Sequence, residues 1–251
     1  MRLLASVLFA IAFCEAARAV DPRAAALFAE LPSNGAATEW RFLGNYDDES
    51  GNDRHLTPNS QIAMLDGYVS ISGPTGFLTT ADFDYPTNSF SVFAWARVTN
   101  VNNKAIVAHF NNAAGAYRSW YMGVCPSAWG TGNGYFSATL SADGGAVILK
   151  AYAATKYVIT DGEWHHVGFT FSPNTLTLYV DGVESPVYKQ RDFPMYGVFN
   201  CPYPISIGCF NTDSGGASGA GMDGDVGGVM LFPFAVNADV PWQLYLGGPP
   251  E

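Results

Sequence analysis

Residues 162–182 read Gly162-Glu163-Trp164-His165-His166-Val167-Gly168-Phe169-Thr170-Phe171-Ser172-Pro173-Asn174-Thr175-Leu176-Thr177-Leu178-Tyr179-Val180-Asp181-Gly182, and this stretch decides the fold. Leu176, Leu178 and Val180 recur at every second position, the pattern of a strand with one buried face. Trp164 to Phe171 reads as a second strand, and Ser172-Pro173-Asn174 supplies turn residues between the two. Asp181-Gly182 then sends the chain back through Val183, because a two-residue hairpin turn needs positive φ at both positions. The register so set decides burial, since a slip of one residue would turn every Leu and Val to the opposite face.

Outward from this hairpin the same alternation predicts strands over Glu39–Leu43, Tyr68–Ser72, Phe90–Val98, Ala105–Phe110, Tyr117–Val124, Tyr135–Leu140, Val147–Ala151, Ile205–Phe210 and Asp225–Phe232. Gly, Pro, Asn and Asp clusters separate them. Asn111–Gly115 and Asn211–Gly224 read as long loops. Short strands at this spacing, with no helices alternating between them, predict an all-β antiparallel sandwich. One helix is expected, in residues 20–36, where Asp21 caps it, Pro22 takes its first position and Pro32 ends it.

Arg2, the apolar run Leu3–Cys14 and the small residues of Ala17-Arg18-Ala19 form an export signal, so residues 1–19 are expected to be cleaved after Ala19 and the protein secreted. The apolar run is too short to span a bilayer, and no later stretch is long enough for membrane insertion. Residues 37–251 are then one domain, within the size range of all-β sandwiches. The net charge of −10 argues against nucleic acid and anionic membranes, which attract basic surfaces. Cys125, Cys201 and Cys209 follow the signal into an oxidising compartment. An extended 201–209 segment would hold its ends roughly 25 Å apart, beyond the ~7 Å a disulfide spans. Cys125 is therefore expected to pair with Cys201 or Cys209, the alternative being three reduced, buried thiols. The chain has no Asn-x-Ser/Thr sequon, so N-glycosylation is not expected.

Four segments, in order, resemble the laminin-G-like, concanavalin A-like lectin/glucanase jelly rolls. They are Trp40-Arg41-Phe42 with Asp48-Glu49-Ser50-Gly51-Asn52; Phe90–Val98; Gly162–Val167 with Leu176–Gly182; and Gly224-Asp225-Val226-Gly227-Gly228-Val229-Met230-Leu231-Phe232. The resemblance implies a jelly-roll fold, and the large apolar areas of Trp95 and Trp164 place both rings, as an expectation, in the sandwich core. The resemblance also implies structural calcium, held in relatives by the acidic loop and an Asp of the closing strand. Here Asp48 and Asn52 are the expected loop ligands, and Gly227 stands where the closing-strand Asp is usual, leaving Asp225 or Asp223 to substitute.

Enzyme chemistry finds little support. Hydrolases of this jelly roll resemble one another in a Glu-x-Asp-x-x-Glu strand, and none of Glu30, Glu39, Glu49, Glu163, Glu184 or Glu251 begins one. His165 and His166 are adjacent on a strand, so their rings point to opposite faces and cannot converge on one ion. A non-catalytic glycan-binding module is the leading expectation. The richest aromatic and polar segments are Tyr117-Arg118-Ser119-Trp120-Tyr121 and Trp129–Tyr135. Trp129, Tyr121, Asn52 and Asp213, with Asp48, are the expected glycan contacts. An adhesive protein that binds another extracellular protein, and a polysaccharide hydrolase or lyase with a dispersed site, remain as alternatives.

Overall fold

The computed structural model describes residues 38–83, 87–99, 104–111, 117–125, 134–145, 150–191, 194–211 and 221–250, with backbone alone for 150–156 and 188–191. The expected signal and N-terminal helix (1–36), Trp129 and Asp213 lie outside the described residues. The strands are β1 (Thr38–Trp40), β2 (Thr57–Pro58), β3 (Ile62–Met64), β4 (Tyr68–Ile71), β5 (Leu78–Thr79), β6 (Phe90–Val98), β7 (Lys104–Phe110), β8 (Arg118–Val124), β9 (Tyr135–Gly144), β10 (Lys150–Val158), β11 (Trp164–Ser172), β12 (Thr175–Val180), β13 (Val183–Glu184), β14 (Val187–Arg191), β15 (Ser206–Ile207) and β16 (Gly224–Phe232). One helix, α1 (Asp239–Leu246), follows them.

Two antiparallel sheets face each other. The first runs β13-β12-β11-β6-β16-β4-β3, with β1 on β16; the second runs β14-β10-β9-β8-β7-β15-β5-β2. The hairpin that opened the sequence reading forms as expected. Ser172 pairs with Thr175 across Pro173-Asn174, and Val180 with Val183 across Asp181-Gly182. Asp181 and Gly182 have φ of 52° and 77°, the left-handed pair that this turn demands. β11 sits between β12 and β6, with Val167 opposite Val180 and Ala94.

Alternate residues of these strands fill the space between the sheets. Phe90, Val92 and Ala94 of β6 and Val167, Phe169 and Phe171 of β11 meet Trp120 and Met122 of β8. Phe90 and Phe169 lie 5.7 and 5.9 Å from the Trp120 ring. Each such ring contributes roughly 2–3 kcal/mol by leaving water.

The two tryptophans expected in this core are elsewhere. Trp95 and Trp164 lie on the outer face of the first sheet, because β6 and β11 turn their odd and even positions oppositely. Trp95 is covered by α1, stacking 5.6 Å from Tyr245. Trp164 packs edge-on to Tyr68 at 5.4 Å under the Arg97 guanidinium. Trp40 and Trp120, both fully buried, take the inter-sheet positions instead.

α1 was not expected from the pattern. Pro241 lies in its first turn, where the missing amide costs nothing, and Leu244 joins Phe93, Tyr179, Phe232 and Val236 in a second apolar cluster on the outer face. Among the described residues no helix is long and apolar enough to cross a membrane.

The expected disulfide is corrected. Cys125, Cys201 and Cys209 are buried thiols. The Cys201 thiol donates to the Tyr117 carbonyl at 3.0 Å, at the start of β8, while Cys125 follows the end of that strand. Seven strand residues put those two ends roughly 23 Å apart. Cys209 follows β15, and β7 separates β15 from β8. The 201–209 segment is not one long strand either: it bends at Gly208, whose φ is +89°. Burial pushes the Cys201 and Cys209 thiols up to about 11 and about 12, so both stay protonated and unreactive at neutral pH.

Candidate functional site

The acidic loop is built around one carboxylate. Asp48 Oδ1 accepts the amides of Glu39 and Ser50, each at 3.0 Å, and Oδ2 accepts the amide of Arg54 at 3.1 Å. Its own amide donates to His55 Nδ1. Trp40 Nε1 donates to the Arg54 carbonyl, so the loop is pinned to β1 from both sides. Asp48 is buried and its oxygens are committed to backbone amides.

That geometry does not fit the calcium site the resemblance implied. Glu39, beside Asp48, pairs with Met230, whereas Asp225 lies five residues away along β16, roughly 16 Å. Asp225 is held instead by Arg97, with Nε and one terminal nitrogen both 2.7 Å from Oδ2. Asn52 is exposed and donates to Ser50 Oγ. Asp223 accepts the Gly73 amide. At Gly227, a Cβ would lie 2.5 Å from Pro250 Cγ and 2.9 Å from the Gly67 carbonyl. The C-terminal tail thus fills the space of the usual carboxylate. Asp48, Asn52 and Asp225 do not assemble, and no group of three acidic, His or Cys side chains that could hold a metal occurs among the described residues. The melting temperature is accordingly expected to be the same, within about a degree, in calcium and in chelator. A rise of several degrees with calcium would overturn this assignment.

His165 and His166 diverge as a strand requires. His165 Nδ1 lies 3.0 Å from Asp181 and Nε2 3.2 Å from Asp161, so both ring nitrogens are occupied. The Asp181 carboxylate, with help from Asp161 and against partial burial, holds the imidazole above its usual pKa of 6.5. Neither nitrogen is left to act as a general base. His166 is fully buried beneath α1, its ring parallel to Phe93 at 5.7 Å.

Of the expected glycan contacts, Tyr121 is corrected: its ring is 4 % exposed, packed edge-on to Phe110 and Phe210 at 5.2 and 4.8 Å. Trp120 of the same segment belongs to the core. Tyr117, at the segment's start, is the accessible ring at 39 % exposure. It stacks near Phe199 at 6.4 Å and lies 5.5 Å from Tyr203. The register Arg118 opposite Gly144 brings the exposed Asp143 to the same edge. Phe199 closes onto Gly144, where a Cβ would approach its ring to 2.8 Å, and its amide donates to the Ser141 carbonyl at 2.8 Å. The result is an aromatic platform of Tyr117, Phe199 and Tyr203, rimmed by Asp143 and the exposed Asn200. Phe199 and Tyr203 lie some eighty residues from Tyr117. Their only sequence signal was two aromatic residues around Cys201-Pro202 in a loop.

Fold and platform together define a jelly-roll module of the lectin type in architecture. The chain belongs to the concanavalin A-like lectin/glucanases superfamily, whose family model matches residues 72–239. No curated protein sequence matches it. Among solved structures, it is similar to the binding domain of Paraclostridial Mosquitocidal Protein 1, with 14 % identity, a TM-score of 0.62, and coverage of 85 % of this chain and 52 % of that one. It is also similar to domain 4 of AbnA, a GH43 extracellular arabinanase from Geobacillus stearothermophilus, in complex with arabinotriose, with 15 % identity, a TM-score of 0.59, and coverage of 84 % and 98 %. A third is the ligand binding domain of botulinum neurotoxin serotype D in complex with N-acetylneuraminic acid, with 13 % identity, a TM-score of 0.60, and coverage of 86 % and 51 %. The chain spans about half the length of the two toxin domains. At such identities the likeness is one of fold.

Proposed function

We propose that this protein is a secreted, non-catalytic carbohydrate-binding module that takes a sugar on the Tyr117–Tyr203–Phe199 platform. The observation that carries the reading is a ring cluster, with Tyr117 exposed and Phe199 and Tyr203 half-buried, beside the exposed Asp143 and Asn200. Sugars present apolar C–H faces to rings and hydroxyls to Asp143 and Asn200, and a ring held by its neighbours is already oriented for stacking. Two similar structures, one in complex with arabinotriose and one with N-acetylneuraminic acid, agree with this use of the fold. The export signal in residues 1–19 agrees with an extracellular ligand.

A glycan array carrying arabino-oligosaccharides and sialylated glycans tests the proposal. Saturable binding to at least one class is expected, with Tyr117→Ala weakening it about tenfold, or roughly 1.4 kcal/mol, at an unchanged melting temperature. No glycan signal, with an extracellular protein captured instead, would replace this reading by adhesion. Release of reducing ends or unsaturated products from a polysaccharide would replace it by catalysis.

A further inference from the structure

The outer face of the first sheet carries apolar surface that the described residues leave open, and nothing in the glycan reading uses it. Between that face and α1 with its following tail lies a cleft of about 590 Å³. Trp95 and His166 line it but are only 6 % and 2 % exposed, so both are closed to a small ligand. What the cleft offers is aliphatic: Leu43, which is 59 % exposed, with Met230, Pro249 and Pro250. Such walls favour aliphatic and aromatic side chains, whose burial is stabilising without any hydrogen bond.

A segment of this chain fits that surface. Residues 20–36, outside the described residues, hold the helix expected from the sequence. Ala24, Leu27, Phe28 and Leu31 fall there at the i, i+3, i+4, i+7 spacing of one apolar face. A helix over residues 23–31 is roughly 13 Å long. It is tethered beside the cleft: Thr38 begins β1 opposite Leu231, and the next pair, Glu39 with Met230, reaches the cleft wall. Pro32-Ser33-Asn34-Gly35 are turn residues that let a helix fold back along β1. Residues 32–37 span up to about 20 Å, enough for that return.

Charge agrees with that direction. A helix folded back along β1 places Glu30 nearer Thr38 and Arg23 roughly 10 Å farther on. The chain that follows β1 carries the exposed Arg41 first and then Leu43, which is bridged to the exposed Asp66. Arg41 binds Glu39 through Nε, which leaves its two terminal nitrogens for Glu30. Opposite charges therefore follow one another in matching order along the two segments. We propose that the helix of residues 20–36 closes this cleft, laying Leu27, Phe28 and Leu31 against Leu43, Met230 and the Pro249-Pro250 tail.

Cross-linking in the chain that retains residues 20–36 tests this. Phe28→Cys combined with Leu43→Cys should form an internal disulfide under mild oxidation. The rate should be at least tenfold that of Phe28→Cys combined with Tyr157→Cys, since Tyr157 is 53 % exposed but stands on the second sheet. Cys125, Cys201 and Cys209 are buried and do not compete. Leu43→Asp alters an exposed residue, so only a docked helix makes it lower the melting temperature by several degrees. Phe28→Asp should lower it equally, and the double variant should fall no further. Equal cross-linking rates for the two pairs, a disulfide between two molecules in place of the internal one, or melting temperatures unmoved by Leu43→Asp and Phe28→Asp would each overturn the proposal. The cross-linking result stands whether or not the Asp variants fold.

Discussion

Replacing Asp48 by alanine is expected to lower the stability of the sandwich by roughly 3–6 kcal/mol, because hydrogen bonds to a charged group contribute roughly 1.5–3 kcal/mol each and unmatched buried amides add to the loss. The carboxylate accepts the amides of Glu39, Ser50 and Arg54; only the Ser50 bond is fully buried, and water partly replaces the other two, which keeps the loss below the sum of three buried bonds. Losing it also loosens the Arg54 carbonyl from Trp40 Nε1 and the Arg54 guanidinium from its place 4.0 Å over Phe83. Asp48→Asn keeps the Oδ1 acceptor for Glu39 and Ser50, so it should recover more than half of the loss. Urea unfolding reads this as a fall in midpoint at constant slope. A loss below about 1 kcal/mol for Asp48→Ala would show that the loop is not held by this carboxylate.

The second large effect is an acid sensitivity placed in His166. Burial pushes its pKa down to about 3, slightly offset by Asp181. In the unfolded chain the group titrates near 6.5. Between those values the unfolded state holds a proton that the native state does not, so stability rises with pH across the window. The contribution is complete above about 6.5 and is lost as pH falls toward 3. At about 1.4 kcal/mol per unit, wild-type protein should lose roughly 2.5 kcal/mol more than His166→Phe between pH 6 and pH 4. Carboxylates titrate over the same range in both proteins, so the difference between them isolates His166. His165 acts with the opposite sign and in another window. Its raised pKa gives a contribution that is full below about 6.5 and is lost as pH rises through the folded value. Parallel pH profiles for wild type and His166→Phe would remove the assignment.

The strands and their faces were legible because a strand advertises itself locally. Phe90–Val98 and Thr175–Val180 match the expected bounds, and Leu178 and Val180 point inward as their spacing requires. The family's order of segments was legible for the same reason. The site was legible only in part. Tyr117-Arg118-Ser119-Trp120-Tyr121 was singled out, yet alternation alone cannot say which ring a neighbouring strand will cover. Phe110 and Phe210 cover Tyr121, the core takes Trp120, and Tyr117 stays accessible.

The amino-acid sequence by itself determined the antiparallel sandwich, the hairpin register at Asp181-Gly182 and the divergence of His165 from His166, since each follows from period two and the φ preferences of neighbouring residues. Tertiary structure alone decided that Asp48 ties down a loop, that Pro250 fills the space beside Gly227, that the cysteines remain thiols, and that α1 roofs a cleft over His166. Asp48 gathers amides only two to nine residues away, which period two does not reveal; the other outcomes depend on groups tens to hundreds of residues apart, brought within a few ångströms only when the two sheets and the C-terminal tail have packed.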